Sequence, residues 1–169
     1  KKYISDILKK FKMSDCKPVS TPMEVGLQLT KPKVKDEKLP YRSLVGSLMY
    51  LAIATRPDIS HAVSVLSQFN QEHDEQHWKA AKRVLRYLSG TREEGLVYRK
   101  TGEIIQGFSD ADWGNCKMDR HSYSGYIFKF GGAAISWESR KQRCVSRSSV
   151  ESEYVSLSDA AKEAAYLRG

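Results

Sequence analysis

The sequence predicts an α+β protein, in which a helical segment precedes a β-sheet that carries one packed helix. Three observations lead to this fold class. Apolar residues recur at helical spacing in much of the chain before Gly90, they alternate with polar residues after it, and helical spacing returns near the end. Successive strands that are followed by a helix are typical of an α+β domain.

Size and charge limit the kinds of function that the chain can have. Its 169 residues suffice for one domain of ordinary size or two small ones, and 40% of them are hydrophobic. The formal net charge of +8 favours nucleic acid or another polyanion as a partner, and a merely basic surface is the plainer alternative. Lysines interrupt the apolar positions at the start and no long apolar run follows, so neither a signal peptide nor a membrane partner is predicted.

The three cysteines are far apart in the sequence, and no CxxC spacing occurs. We expect reduced thiols in an intracellular chain rather than a disulfide framework or a zinc site. The chain also begins without Met, which predicts a fragment, a processed product or a piece of a polyprotein.

The first element is a short amphipathic helix within residues 1–17, because Ile4, Ile7 and Leu8 recur at helical spacing between lysines. Residues 18–40 contain four prolines and are predicted to form an extended surface linker.

Residues 41–95 are predicted to form a unit of three helices. The stretch YRSLVGSLMYLAIAT is apolar nearly all round, Met49 included, which indicates a buried helix. Pro57 ends it, and Asp58 is placed to cap the next helix, DISHAVSVLSQF. An amphipathic helix, DEQHWKAAKRVLRYLSGT, then ends at Gly90, a residue type favoured at helix ends.

Residues 96–169 are predicted to contain strands and a final helix. The stretches GLVYRK, GEIIQGFSDAD, SGYIFKFGG and AAISWESRKQ alternate as strands do, with Gly102 and Gly131-Gly132 as turns. The predicted apolar stripe of the final helix consists of Val150, Tyr154, Leu157 and Ala161.

Acidic residues mark a candidate metal site. Asp110 ends a predicted strand close to Asp112, and two close carboxylates repel each other unless a cation lies between them. Glu153 lies on the first turn of the final helix and can point at that strand if the helix packs over the sheet. Carboxylates from a strand and a helix suit Mg²⁺ or Mn²⁺. The plainer alternative is that Glu151 and Glu153 interact only with the helix dipole.

Several stretches along nearly the whole chain match one family: YRSLVGSLMYLAIATRPDISHAVSVLSQF, HWKAAKRVLRYLSGT, GFSDADWGN, DRHSYSGYIF, ISWESRKQ and SSVESEYVSLSDAAKEAAYL. Through them the chain resembles the Pol polyprotein of Copia-type (Pseudoviridae) LTR retrotransposons. The resemblance implies that the first part is the C-terminal, thumb- or connection-like end of a reverse transcriptase. It also implies that the part from about residue 95 begins an RNase H-like domain, with part of a mixed sheet.

In that family, four acids and two divalent metal ions cut the RNA strand of an RNA–DNA hybrid. The resemblance implies that Asp110 is the first acid and Glu153 the second, with Glu151 as the alternative for the second. The third and fourth acids would lie beyond Gly169, and the polymerase aspartates before Lys1. We therefore expect weak metal binding and little or no cleavage by this chain alone. The remainder of the polyprotein would be a partner, in a cytoplasmic virus-like particle or in the nucleus.

Basic side chains are the candidate contacts to nucleic-acid phosphates, with binding that weakens as salt rises. They are Lys82, Arg83, Arg86, Arg140, Lys141, Arg143 and Arg147. His73 and His77 lack a third ligand in a zinc pattern and are expected to be surface residues, and His121 is expected to be an ordinary loop histidine.

A second hypothesis starts from Arg83-Val84-Leu85-Arg86, which spells RxLR, the host-targeting motif of oomycete secreted effectors. Under it the chain is a domesticated, non-catalytic binding protein that is secreted into a host cell and contacts a host protein. The motif lies inside the predicted amphipathic helix, where Val84 and Leu85 are needed for packing.

Overall fold

The computed structural model describes residues 1–32, 34–116 and 118–169. The chain divides into two compact units, residues 1–95 and residues 96–169. None of the helices in the described ranges has the length and apolar character that crossing a bilayer requires.

The first unit is helical. Its helices are α1 (Lys2–Lys10), α2 (Tyr41–Ala54), α3 (Ser60–Ser67) and α4 (Glu75–Gly90), with a 3₁₀ turn at Pro57–Ile59. The described part of residues 11–40 contains no helix or strand. Asp74 is the N-cap of α4, and its carboxylate accepts hydrogen bonds from the backbone amides of Gln76 at 2.9 Å and His77 at 3.3 Å. Such a cap satisfies amide groups that lack a partner within the helix.

One apolar core holds this unit together. It contains side chains from all four helices, and fully buried examples are Leu8, Leu44, Leu66, Val84 and Leu88. The prediction that α2 is buried all round is wrong. Met49, Tyr50 and Ile53 are exposed, because α3 and α4 pack against the helix without surrounding it.

A buried ion pair connects the end of α2 to the end of α4. The guanidinium of Arg56 is 3% exposed and donates to the carboxylate of Asp58 over 2.7 Å. It also donates to the backbone oxygen of Thr91 over 3.0 Å, and the hydroxyl of Tyr87 donates to Asp58 over 2.8 Å. The prediction that Asp58 caps a helix is wrong, because its carboxylate is taken up by this pair.

The second unit contains strands β1 (Gln106–Asp112), β2 (Tyr123–Phe130) and β3 (Ala133–Lys141), followed by helix α5 (Ser149–Arg168). The strands form an antiparallel sheet in the order β1-β2-β3, with Asp110 opposite Gly125 and Gly125 opposite Ser139. The predicted α+β class is confirmed. The resemblance implies a mixed sheet, whereas the three described strands are all antiparallel.

The stretch GLVYRK is not a strand, contrary to the prediction. Among the described residues, its one backbone hydrogen bond of the strand type runs from the amide of Arg99 to the oxygen of Gly131 at 2.8 Å. A second bond joins the hydroxyl of Tyr98 to the oxygen of Ala134. Alternating side chains favour a strand, but a strand also needs a continuous ladder of backbone bonds, which this stretch lacks.

The predicted apolar stripe of α5 is also wrong. Val150, Tyr154 and Leu157 are 75%, 73% and 57% exposed, whereas Ser152, Ser156 and Ala160 form the buried face. Small side chains at spacings of four residues let the helix approach the sheet closely. The approach is close enough for the hydroxyl of Ser156 to donate to the backbone oxygens of Asp110 at 2.6 Å and Gly125 at 3.2 Å.

Candidate metal and nucleic-acid sites

Asp110 lies near the end of β1, which is an edge strand of the described sheet, and its side chain is exposed. Strand alternation places it on the opposite face of the sheet from Ser109. Within the described ranges its carboxylate has no hydrogen bond or ion pair. The neighbouring Asp112 instead accepts a hydrogen bond from the side-chain amide of Asn115.

The two glutamates at the start of α5 differ in their contacts. The hydroxyl of Ser148 accepts from the amide of Glu151 at 3.1 Å, and the Glu151 carboxylate accepts from the amide of Arg147 at 2.7 Å. The Ser148 hydroxyl thus caps the helix, and the Glu151 carboxylate binds the backbone one residue before the cap. Glu153 is exposed and, among the described residues, engages no partner.

The strand that carries Asp110 and the helix that carries Glu153 are in direct contact. Ser156, whose hydroxyl binds the Asp110 carbonyl oxygen, follows Glu153 by less than one helical turn. The structure thus brings the backbone of Asp110 next to the first turns of α5. No cluster of three or more potential metal ligands occurs in residues 1–32, 34–116 or 118–169.

A buried polar network fixes the start of α5, and nothing in the sequence pattern indicated it. The amide nitrogen of Gln142 donates to the hydroxyl of Ser124 at 2.8 Å and to the backbone oxygen of Ser152 at 2.9 Å. Its oxygen accepts from the hydroxyl of Ser146 at 2.9 Å. All four side chains are less than 7% exposed, so each hydrogen bond replaces contact with water. The network joins β2, the end of β3 and α5.

The loop before β2 is tied to the end of β3. The ammonium group of Lys141 lies 2.6 Å from the carboxylate of Asp119. Desolvation opposes ionisation of Asp119, but hydrogen bonds from Lys141 and Cys116 lower its pKa to about 2. His121, predicted to be an ordinary loop residue, lies 2.7 Å through its ring Nδ1 from the backbone oxygen of Gln142.

The basic residues of α4 are bound within the first unit. Arg83 donates to Glu24 and to the hydroxyl of Thr21, each at 3.0 Å, and Arg86 donates to the backbone oxygen of Lys17 at 2.8 Å. The Lys82 ammonium lies 5.5 Å from the ring centre of Trp78. The segment before α2 therefore covers part of the face of α4 that carries Lys82, Arg83 and Arg86.

The basic residues of the second unit fall into two groups. Arg140 is paired with Asp159 at 2.5 Å, and Lys141 is paired with Asp119. Arg143 and Arg147 are exposed on the segment between β3 and α5, and no side-chain bond is described for either of them. Of the predicted phosphate contacts in this unit, these two arginines are the more available.

The interpretation of His73 and His77 as surface residues is wrong. They are 7% and 0% exposed. The ring of His73 stacks on Tyr41 with the ring centres 4.6 Å apart, and His77 packs against Phe69 at 4.2 Å. Burial raises the pKa of the Tyr41 phenol, which donates to the backbone oxygen of Leu66. Aromatic neighbours and closure of the core explain the burial, which residue type alone does not indicate.

Comparison with known proteins finds relatives for almost the whole chain. It is 43% identical over 175 residues to the retrovirus-related Pol polyprotein from transposon TNT 1-94 of Nicotiana tabacum, which covers 99% of this chain and 13% of that protein. It is 44% identical over 170 residues to the retrovirus-related Pol polyprotein from transposon RE1 of Arabidopsis thaliana, with coverage of 99% and 12%. The chain thus spans about an eighth of the length of these polyproteins.

A third relative is short. The secreted RxLR effector protein 161 of Plasmopara viticola is 49% identical over 132 residues, which are 78% of this chain and 93% of that protein. No family model matches the chain, and no solved structure matches it.

Proposed function

Because the chain belongs to the family of retrovirus-related Pol polyproteins from Copia-type transposons, we propose that it is the part of such a polyprotein that binds RNA–DNA hybrids. In this proposal it contributes two metal-binding carboxylates to cleavage of the RNA strand. The observation that carries the proposal is the pair Asp110 and Glu153. Both carboxylates are exposed and unpaired among the described residues, and they lie on a strand and a helix that touch.

The donor set suits a hard divalent cation. Carboxylate oxygens are the ligands that Mg²⁺ and Mn²⁺ prefer. We favour Glu153 over Glu151 as the second ligand, because the Glu151 carboxylate accepts a hydrogen bond from the amide of Arg147. A bound ion would supply charge stabilisation for the phosphate that is cut. Two carboxylates leave most of an octahedral shell to water, so we expect weak ion binding by this chain alone. The remainder of the polyprotein is the proposed source of further ligands.

Arg143 and Arg147 are the proposed contacts to the nucleic-acid backbone in the second unit. They flank the start of α5, close in sequence to Glu153, and both are exposed. Neutralisation of phosphates by arginine releases counterions, so binding should weaken steeply as salt rises. Lys82 is the proposed contact on α4, because Arg83 and Arg86 have partners within the chain. We place the working complex in a cytoplasmic virus-like particle or in the nucleus.

The test is cleavage of a labelled RNA–DNA hybrid at low salt with Mg²⁺ or Mn²⁺, with binding followed on the same gel. We expect the chain alone to bind the hybrid and to cut it little. The chain extended by the following polyprotein segment should cut the RNA strand, and Asp110→Asn should abolish the cut. Asp112→Asn, which removes the same charge two residues away, is the control. Cleavage that is equally sensitive to both substitutions, or to neither, would contradict the assignment of Asp110.

A second candidate is a stand-alone binding protein, and one observation favours it. The relative from Plasmopara viticola consists almost entirely of the aligned region, so sequences like this one occur as short chains. In the present chain, however, Val84 and Leu85 of the RxLR stretch are fully buried in α4. A binding function of this kind should survive Asp110→Asn, which distinguishes the two candidates.

A further inference from the structure

A cavity of about 360 Å³ lies at the start of α2 in the first unit. Polar and charged side chains line much of it, among them Lys35, Arg42, Ser43 and His73. It is separate in sequence from Asp110 and Glu153, which belong to the other unit. Three independent features of its wall indicate what it binds.

The first feature is the helix end. Helix α2 has 14 residues, begins after Pro40, and has neither a side-chain cap nor an acidic residue in its first turn. The first amides of a helix lack partners within the helix and carry a partial positive charge. Arg42 and Ser43 are residues of that turn, and they line the cavity. The uncapped end therefore offers backbone donors at the cavity.

The second feature is His73. Its side chain is 7% exposed, and both of its ring nitrogens are buried without a hydrogen-bond partner in the described chain. Its ring is held by stacking on Tyr41, and its backbone oxygen accepts from the amide of Asp36 at 2.9 Å. Buried polar groups are rarely left without a partner. A ligand in the cavity that His73 lines would provide one.

The third feature is charge. Lys35 and Arg42 line the cavity, and the ammonium of Lys10 donates to the hydroxyl of Ser43 over 2.9 Å. Arg42 uses its Nε to bind the backbone oxygen of Asn70, which leaves the rest of the guanidinium for a ligand. Two acids oppose them: Glu37 in the lining, and Glu72, which lies 3.5 Å from Lys35. Among the lining residues, the two cations Lys35 and Arg42 face one acid, Glu37, and the helix end adds to the positive potential.

We propose that this cavity binds a phosphate group. Phosphate oxygens accept hydrogen bonds from backbone amides at a helix N-terminus, from a guanidinium and from a histidine N–H, and all three types of donor are present here. The phosphate can be free, or it can belong to a nucleic acid. The proposal does not depend on the metal site or on cleavage, because its ligands all lie in the first unit.

The test is a titration of the full chain with inorganic phosphate, without metal ions and at constant ionic strength, followed by amide NMR shifts. We expect the largest shifts at the amides of residues 41–43. Arg42→Gln should weaken phosphate binding about tenfold, as loss of a charge-assisted hydrogen bond does. Lys38→Gln, which removes the same charge outside the cavity lining, is the control and should leave the affinity unchanged.

A second variant tests the histidine. His73→Phe keeps an aromatic ring against Tyr41 but removes both ring nitrogens, so it should preserve the fold and weaken phosphate binding. Absence of shifts at residues 41–43, shifts confined to the basic face of α4, or equal losses in Arg42→Gln and Lys38→Gln would each overturn the proposal.

Competition separates the two sources of phosphate. An oligonucleotide with a 5′-phosphate is compared with the same oligonucleotide ending in a 5′-hydroxyl. Displacement of inorganic phosphate by the phosphorylated form alone supports a terminal phosphate, and displacement by both supports a backbone phosphate. Displacement by neither supports a free phosphate ion. The two proposals can fail separately. If the extended chain does not cut the hybrid while phosphate still binds at this cavity, the proposed function is refuted and this site stands.

Discussion

The hydroxyl of Ser156 donates a hydrogen bond to the backbone oxygen of Asp110 over 2.6 Å, and it lies 3.2 Å from the backbone oxygen of Gly125. One side chain of α5 thus touches the two strands at the point where the candidate metal ligand lies. The contact joins the strand that carries Asp110 to the helix that carries Glu153.

We predict that Ser156→Ala destabilises the second unit by about 1 kcal/mol, because two backbone oxygens lose their side-chain donor. Urea unfolding followed by circular dichroism measures the change. Ser158→Ala, at an exposed position of the same helix, is the control and should have almost no effect. Equal effects of the two substitutions would show that the Ser156 hydroxyl does not anchor the helix.

The buried pair in the first unit gives a larger effect. Asp58→Asn leaves the Arg56 guanidinium, 3% exposed, without its counter-charge, and we expect a loss of about 3 kcal/mol in the free energy of unfolding. Asp6→Asn, at an exposed position of α1, is the matched control for the change in charge. A loss for Asp58→Asn that is no greater than for the control would mean that Arg56 finds other partners.

The lowered pKa of Asp119 should make the stability of the second unit depend on pH. Desolvation is outweighed by hydrogen bonds from Lys141 and Cys116, so the pKa of Asp119 falls from 3.8 to about 2 in the folded chain. A group whose folded pKa is depressed stabilises the fold above its ordinary pKa, and this contribution is lost as the pH falls towards the folded value. We expect Asp119→Asn to flatten the dependence of stability on pH between about 4 and 2. Thermal unfolding across this range tests it, with Glu103→Gln as the control, and an unchanged slope would contradict the prediction.

Gly107 faces a neighbouring strand too closely for a side chain. A Cβ atom there would lie 2.4 Å from the ring Cε1 of Phe128, so either the ring or the strand must move. Gly107→Ala should destabilise the second unit by about 1–3 kcal/mol, as overpacking does. Gly125→Ala, whose Cβ would meet only the Glu138 oxygen at 3.5 Å, should cost much less.

The double variant Gly107→Ala/Phe128→Leu tests the cause of that loss. Replacement of the ring should reduce the added cost of the alanine, since the atoms that clash are removed. Purely additive losses in the chemical unfolding of the single and double variants would assign the effect of Gly107→Ala to backbone flexibility instead.

The helices of the first unit could be predicted from the sequence because large apolar residues recur on one face, as in α4 with Val84 and Leu88. The same rule failed for α5, where Ser152 and Ser156 face the sheet and Tyr154 faces solvent. Close packing of a helix on a sheet favours small residues, and periodicity of large apolar residues does not reveal them. The prediction of a strand at GLVYRK is wrong for a related reason. Alternation of apolar and polar residues does not indicate whether a neighbouring strand is present.

The candidate site could be predicted only in part. Asp110 and Glu153 are predicted from motifs, but the hydrogen bond from the Arg147 amide to Glu151 depends on the local backbone. The Gln142 network joins groups that are distant in the sequence, so no local pattern indicates it. The burial of His73 likewise depends on the position of Tyr41 in the core.

The position of β1 at the edge of the described sheet has a consequence for handling the protein. Most of its residues, including Phe108, are exposed, and the peptide groups on its outer side have no strand beside them. An uncovered edge strand is a template for pairing with other chains. Concentrated samples should therefore tend to form sheet-linked aggregates, and solubility should improve when a charged residue replaces Phe108.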